Sequence, residues 1–230
     1  MPFAESPQRE FAAATEWAAG RTLDALTGAE GAAPPTPAPA PAPAAPEPQA
    51  LLAGVRVLGP DVFAPALLTG APTPPETTEI VAEAFRVFPS DESGIHTWRD
   101  RATAELLTRA GYPVSAPTPP PPPDPGEDGW QRWSVRMAQL SCLALPTLDG
   151  PVHQRAREHP LALARGAARA VLRRDHRTSA RLVRWLAWLH RTGTPSALEL
   201  PPLLRQLALT GDGTARSALD LTVAAHLAAG

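Results

Sequence analysis

Two proline tracts constrain the fold of this chain more than any other feature of its sequence. The letters PPTPAPAPAPAAPEP fill residues 34–48, and PTPPPPPDP fills residues 117–125. Proline lacks a backbone N–H and fixes φ, so both tracts favour extended polyproline II structure without internal hydrogen bonds. Together they hold about half of the 30 prolines in the 230 residues. We therefore expect the tracts to be spacers between three separately patterned segments.

The three segments all carry the apolar periodicity that is typical of helices. No fixed repeat length with matching residues occurs, which favours an irregular bundle over a solenoid. The sequence predicts an all-α protein: an irregular helical bundle with proline-rich linkers and a smaller helical middle unit. The predicted division is an N-terminal helix at 1–31, a linker at 32–48, a small helical unit at 49–113, a second linker at 114–129 and a C-terminal helical bundle at 130–230.

The composition permits a core but removes several kinds of chemistry. Hydrophobic residues make up 43 % of the chain, close to the share in globular proteins. All 21 basic side chains are arginine, and lysine and asparagine are both missing, which indicates a bias in base composition. Without lysine, the chain offers neither Schiff-base chemistry nor a P-loop lysine; the glycines of TGDGTA at 210–215 therefore do not predict a nucleotide site.

The features that bear on location favour the cytoplasm. Cys142 is the one cysteine, so no disulfide within the chain is expected. The first residues, MPFAESPQREF, lack the basic and apolar regions of a signal peptide, and no apolar run approaches the length of a membrane span. We expect a cytoplasmic protein without a membrane segment.

Arginine recurs every fourth residue in RGAARAVLRRDHRTSARLVRW, which runs over 165–185. The stretch 155–191 holds ten arginines and two acids, so it carries +8 in a chain whose net charge is −2. This asymmetry predicts a basic partner-binding surface. Its candidate residues are Arg165, Arg169, Arg173, Arg174, Arg177, Arg181 and Arg184.

Helix geometry limits what this ladder can be. Residues four apart drift by about 40° around a helix, so the arginines do not form one straight stripe that follows phosphates. A break at 175–178 would divide them between the solvated faces of two core helices, which is the simplest expectation. In the same stretch, Trp185 and Trp188 are predicted to be core residues rather than a platform for stacking bases.

Three kinds of partner remain open for the basic stretch. The first is an acidic region of the same chain, the second is an acidic protein, and the third is a nucleic acid. No zinc-finger spacing or aromatic RNA-binding motif supports the nucleic acid. The internal acidic candidates are Glu76, Glu79, Glu83, Asp124, Glu127 and Asp128.

No motif in the sequence fixes a reaction. Cys142 and His153 could form a nucleophile and a base, but a buried inert thiol is commoner in a run such as QLSCLAL. The six histidines show no metal-ligand spacing, and we predict neither a metal nor a cofactor. The predicted function is a non-enzymatic helical adaptor or accessory subunit that binds a protein. The alternatives are a nucleic-acid-associated protein that uses 155–191, and an enzyme or enzyme subunit with a site near Cys142 and His153.

Overall fold

The computed structural model describes residues 7–28, 46–90 and 94–230, and these residues form an all-α protein. The predicted fold class is confirmed, because no strand occurs anywhere in the described ranges. Most of the predicted linker 32–48 lies outside these residues.

The helices are numbered in chain order. They are α1 Pro7–Gly28, α2 Pro48–Leu58, α3 Ala64–Thr69, α4 Pro75–Val87, α5 His96–Arg109, α6 Pro125–Gln139, α7 Pro151–Glu158, α8 Pro160–Leu172, α9 His176–Arg191, α10 Leu200–Thr210 and α11 Ala215–Ala229. A 3-10 turn at Gly59–Phe63 joins α2 to α3, and a second one at Ser141–Leu143 follows α6.

Proline begins many of these helices as well as filling the tracts. It occupies the first position of α2, α4, α6, α7 and α8, at Pro48, Pro75, Pro125, Pro151 and Pro160. The first N–H of a helix has no partner within the helix, so proline costs no hydrogen bond there and its fixed φ suits the helix.

Helix α9 lies at the centre of the core. Leu182, Val183, Trp185 and Leu186 have no exposed surface. The helix packs against α6, α7, α8, α10 and α11. The apolar part of α9 is therefore buried within the monomer.

Helix α1 packs on α2 and α11 and contributes to the same core. The approach of α1 and α2 is close, since a Cβ at Gly54 would lie 2.7 Å from the backbone oxygen of Ala14. The Glu16 carboxylate also accepts a hydrogen bond from the backbone N–H of Arg216 (3.3 Å). The three patterned segments therefore share one hydrophobic core, and the boundaries drawn at 31, 48, 113 and 129 stay predictions.

The helix that follows the second proline tract begins earlier than the sequence predicts. Helix α6 begins at Pro125, inside the predicted linker 114–129, and the Asp124 side chain accepts the backbone N–H of Gly126 (2.7 Å) as an N-cap. The Trp133 Nε1–H donates to the Pro123 carbonyl (3.0 Å). This hydrogen bond holds the end of the tract against the bundle.

One stretch, Pro48–Thr69, is long and apolar enough to cross a membrane when only length and composition are considered. Half of its apolar window is buried inside the protein. Its Arg56 makes two hydrogen bonds to the Asp100 carboxylate (2.5 and 2.6 Å), and its Asp61 pairs with Arg184 (2.5 Å). In this structure, the stretch is therefore a packed part of the core.

Candidate partner-binding surface

The outer side of α8 presents basic and apolar side chains together. Leu161, Arg165, Arg169 and Leu172 follow one another along it, and all four are exposed. The two leucines keep 52 % and 85 % of their surface exposed, respectively. The opposite side of the helix is buried against α6 and α9. Helix α8 is thus amphipathic, but its solvent side is not purely polar.

Helix α6 packs beside this surface. Gly166 of α8 faces Ser134 of α6 so closely that a Cβ added to the glycine would overlap the Ser134 side chain. Arg132 and Arg136 are exposed on α6, but each stands about 160° around the helix from Ser134. These two arginines therefore point away from α8.

The turn between α8 and α9 adds further arginines. Arg173 and Arg174 are exposed, and Arg174 adopts a left-handed φ of 56°, which ends α8. The Asp175 side chain caps α9 by accepting the backbone N–H of Thr178 in its first turn. Arg177 in the first turn of α9 is exposed, and its positive charge helps to lower the pKa of the Asp212 carboxyl. The break therefore lies at 173–175, slightly before the predicted 175–178.

We call the exposed side of α8, next to its contact with α6, the α6–α8 basic face. No carboxylate occurs in α8. In the part of the chain that the structure describes, no ion pair involves any of the arginines at 165, 169, 173 and 174. The residues of the face are Leu161, Arg165, Arg169, Leu172 and Arg173.

Other arginines of the basic stretch find partners within the chain. Arg155 lies 3.3 Å from the Asp124 carboxylate, so one of the predicted internal acidic candidates does meet this stretch. Arg157 pairs with both oxygens of Asp149 (3.1 and 3.0 Å) and places its guanidinium 4.8 Å from the centre of the Trp188 ring. The positive charges of Arg155 and Arg157 are therefore paired with carboxylates of the same chain.

Arg184 corrects the sequence prediction. It was expected on the exposed basic surface, but it has no exposed surface at all. Its guanidinium donates to Asp61 (2.5 Å), to Asp220 (3.0 Å) and to the Ala144 carbonyl (3.2 Å). Arg181 is also mostly buried, with 17 % of its side chain exposed, and its Nε lies 3.6 Å from Asp220. Two acidic residues from other parts of the chain thus draw these arginines inward.

Burial and charge pairing act in opposite directions in this cluster. Burial raises the pKa of Asp61, the Arg184 charge opposes that rise, and the nearby Asp220 adds to it. Burial alone would lower the pKa of Arg184, but the Asp61 and Asp220 carboxylates raise it above its usual value. The Ser141 hydroxyl donates a further hydrogen bond to Asp220 (3.2 Å). The cluster ties α9, α11 and both 3-10 turns together, which is a structural role.

The proposed nucleophile and base do not form a reactive pair. Burial raises the pKa of the Cys142 thiol to about 12, so almost none of it is thiolate near neutral pH. The buried His153 hydrogen-bonds the Leu143 carbonyl through Nε2 (2.9 Å), and its ring packs against Trp185 and Trp188. Burial lowers the pKa of His153, which keeps this ring neutral in the core. Both tryptophans are core residues, as predicted.

The described residues contain no group of three or more histidine, cysteine, aspartate or glutamate side chains placed to hold a metal ion. Comparison with protein-family models, curated proteins and solved structures finds no match to this chain. The case for function therefore depends on the surface itself.

Sequence reasoning missed the two leucines of this surface. Leu161 and Leu172 are exposed beside the arginines of α8. The signal was their separation of eleven residues, which puts both within about 20° of one direction on a helix and within about 40° of Arg165.

Proposed function

We propose that the protein is a non-enzymatic helical adaptor that binds an acidic protein partner through the α6–α8 basic face. The observation that supports this most is the row of exposed arginines at 165, 169 and 173 along α8, a helix that carries no carboxylate. Such a face gives a local positive field although the whole chain carries −2. Acidic surfaces on a partner are attracted and oriented by it.

Apolar side chains on the face favour a protein over a nucleic acid. Leu161 and Leu172 are among the most exposed large hydrophobic residues of the described chain. Phosphate groups offer nothing that would cover them, whereas protein interfaces combine apolar contacts with arginine. A cytoplasmic location belongs to the same proposal, supported by a single buried thiol that suits a reducing compartment.

The experiment compares two charge-reversal variants with equal changes in net charge. In R165E/R169E the face loses its central arginines, while R9E/R205E alters exposed arginines on α1 and α10. Each tagged full-length protein is crosslinked in nuclease-treated native extract, and the captured proteins are quantified by mass spectrometry. Binding of the purified partner is then measured.

The proposal expects a partner that wild type and R9E/R205E both capture and that R165E/R169E loses, with affinity reduced at least about tenfold. Equal capture by all three proteins would refute it. Loss of all capture after nuclease treatment would instead favour the nucleic-acid alternative. In that case, four phosphate contacts would give a slope of about −4 for log affinity against log salt concentration.

A further inference from the structure

We propose that the segment of the partner that contacts this protein is an acidic amphipathic helix lying along α8. This inference rests on the proposed function and adds the structure and chemistry of the partner segment. It follows from the order of apolar and basic side chains on the α6–α8 basic face.

The two leucines mark the ends of a straight stripe. Leu161 and Leu172 are eleven residues apart, which is about 16 Å along the axis and a rotation of only about 20°. Both belong to one uninterrupted helix. They therefore point in nearly the same direction, three turns apart.

The arginines flank this stripe on one side. At 100° per residue, Arg165 stands about 40° and Arg169 about 80° from the direction of Leu161. Arg173 continues the series at about 120°, towards the side on which Gly166 meets α6. The exposed side of α8 thus has a leucine at each end and arginines along one side between them, over about three turns.

The spacing fits a helix better than an extended strand. In a second helix, residues eleven apart point in nearly the same direction and lie about 16 Å apart. Two apolar side chains at that spacing can therefore contact both leucines. Side chains on one face of a strand recur every two residues, giving separations of about 13 or 20 Å instead. Acidic residues one and two turns along the partner helix would then face Arg165 and Arg169.

The experiment uses a fluorescent synthetic peptide as the probe. It is a helical peptide with leucines eleven residues apart and glutamates one and two turns after the first leucine. Two reference probes are a scrambled peptide of the same composition and a duplex DNA. Affinities are measured by anisotropy for the wild type, L161S/L172S, R165E/R169E and the control R9E/R205E.

We expect the designed peptide to bind the wild type at least about tenfold more tightly than the scrambled one does. L161S/L172S should bind the designed peptide about tenfold more weakly than the wild type does. R165E/R169E should bind it more weakly than L161S/L172S does. The control R9E/R205E should bind it as tightly as the wild type does. All four changed positions are exposed, so each variant is expected to fold, and circular dichroism with the melting temperature checks this.

Two outcomes overturn the helical partner. One is equal binding of the designed and scrambled peptides, and the other is full binding by L161S/L172S; either would show that charge alone governs the surface. No binding of the designed peptide at millimolar concentration also overturns it. The adaptor function survives these results if R165E/R169E still loses its captured partner, and it fails if duplex DNA is the tightest-binding probe.

Discussion

Replacing Arg184 with methionine tests the buried charge cluster directly. The substitution keeps the bulk of the side chain but removes three hydrogen bonds, to Asp61, Asp220 and the Ala144 carbonyl. Asp220 retains the Ser141 hydroxyl and the nearby Arg181, whereas Asp61 loses its close cation. Breaking a buried ion pair in this way costs about 3–5 kcal/mol of unfolding free energy.

The assay is urea unfolding followed by circular dichroism, together with thermal melting. For a protein of this size, each kcal/mol shifts the melting temperature by about 2–4 °C, so R184M should melt about 10 °C lower. R181M is the comparison variant. Arg181 lies 3.6 Å from Asp220, and Asp220 keeps Arg184 and the Ser141 hydroxyl in this variant, so R181M should cost clearly less stability than R184M.

The deficit of R184M should depend on pH. Burial already holds the pKa of Asp61 above its ordinary value of 3.8, and Arg184 opposes that rise. Without Arg184, the pKa of the folded carboxyl rises further, so protonation relieves the buried charge as pH falls from neutral towards 4. The difference in stability between R184M and wild type should therefore shrink over that range.

A second variant separates lost charge pairing from lost packing. In R184M/D61N, the uncompensated carboxylate is replaced by an amide, and a substantial part of the lost stability should return. The reasoning is refuted if R184M costs less than about 1 kcal/mol at neutral pH, or if its deficit is the same at pH 4.

Four other substitutions or measurements follow from the structure. G54A should lower stability by about 1–3 kcal/mol in urea unfolding, since its Cβ would enter the backbone of α1 at Ala14. G166A should cost a similar amount, because it forces α8 away from Ser134. Native Cys142 should resist thiol-reactive dyes at pH 8 and react fully in denaturant, because its pKa is raised to about 12. R165E/R169E should leave the melting temperature within about 2 °C of wild type, because neither side chain is buried or ion-paired in the described chain.

Each of these four predictions has a result that would contradict it. An unchanged or higher stability of G54A or G166A would mean that the helices do not approach closely at these glycines. Rapid labelling of the native thiol would contradict the burial of Cys142. A large loss of stability in R165E/R169E would show that these arginines hold the fold and are not available to a partner.

Local sequence signals predicted the helices well. The apolar spacing, the prolines at helix starts and Asp175 as a cap all act within a few residues, so each is visible without the fold. The predicted break divided the arginine ladder between two helices, and the break near 174 confirms that division. The predicted polar face on the second helix is wrong, because Arg181 is mostly buried and Arg184 is fully buried.

The burial of Arg184 could not be derived in the same way, because its partners are distant in sequence. Asp61 is 123 residues away and Asp220 is 36 residues away. A faint signal was present, since the neighbours of Arg184 at Ala180 and Ala187, one turn away on either side, are apolar and buried. An arginine in such an apolar stripe indicates an internal carboxylate, but the sequence does not say which one.

The most direct test of the account is a charge swap across the interface. Once the partner is captured, its carboxylates crosslinked near α8 are replaced by arginine, and affinity for R165E/R169E is measured by calorimetry. The account predicts that the swapped pair recovers most of the affinity that either change alone removes. If the swapped partner binds R165E/R169E no better than the unchanged partner does, the α6–α8 basic face is not the binding surface.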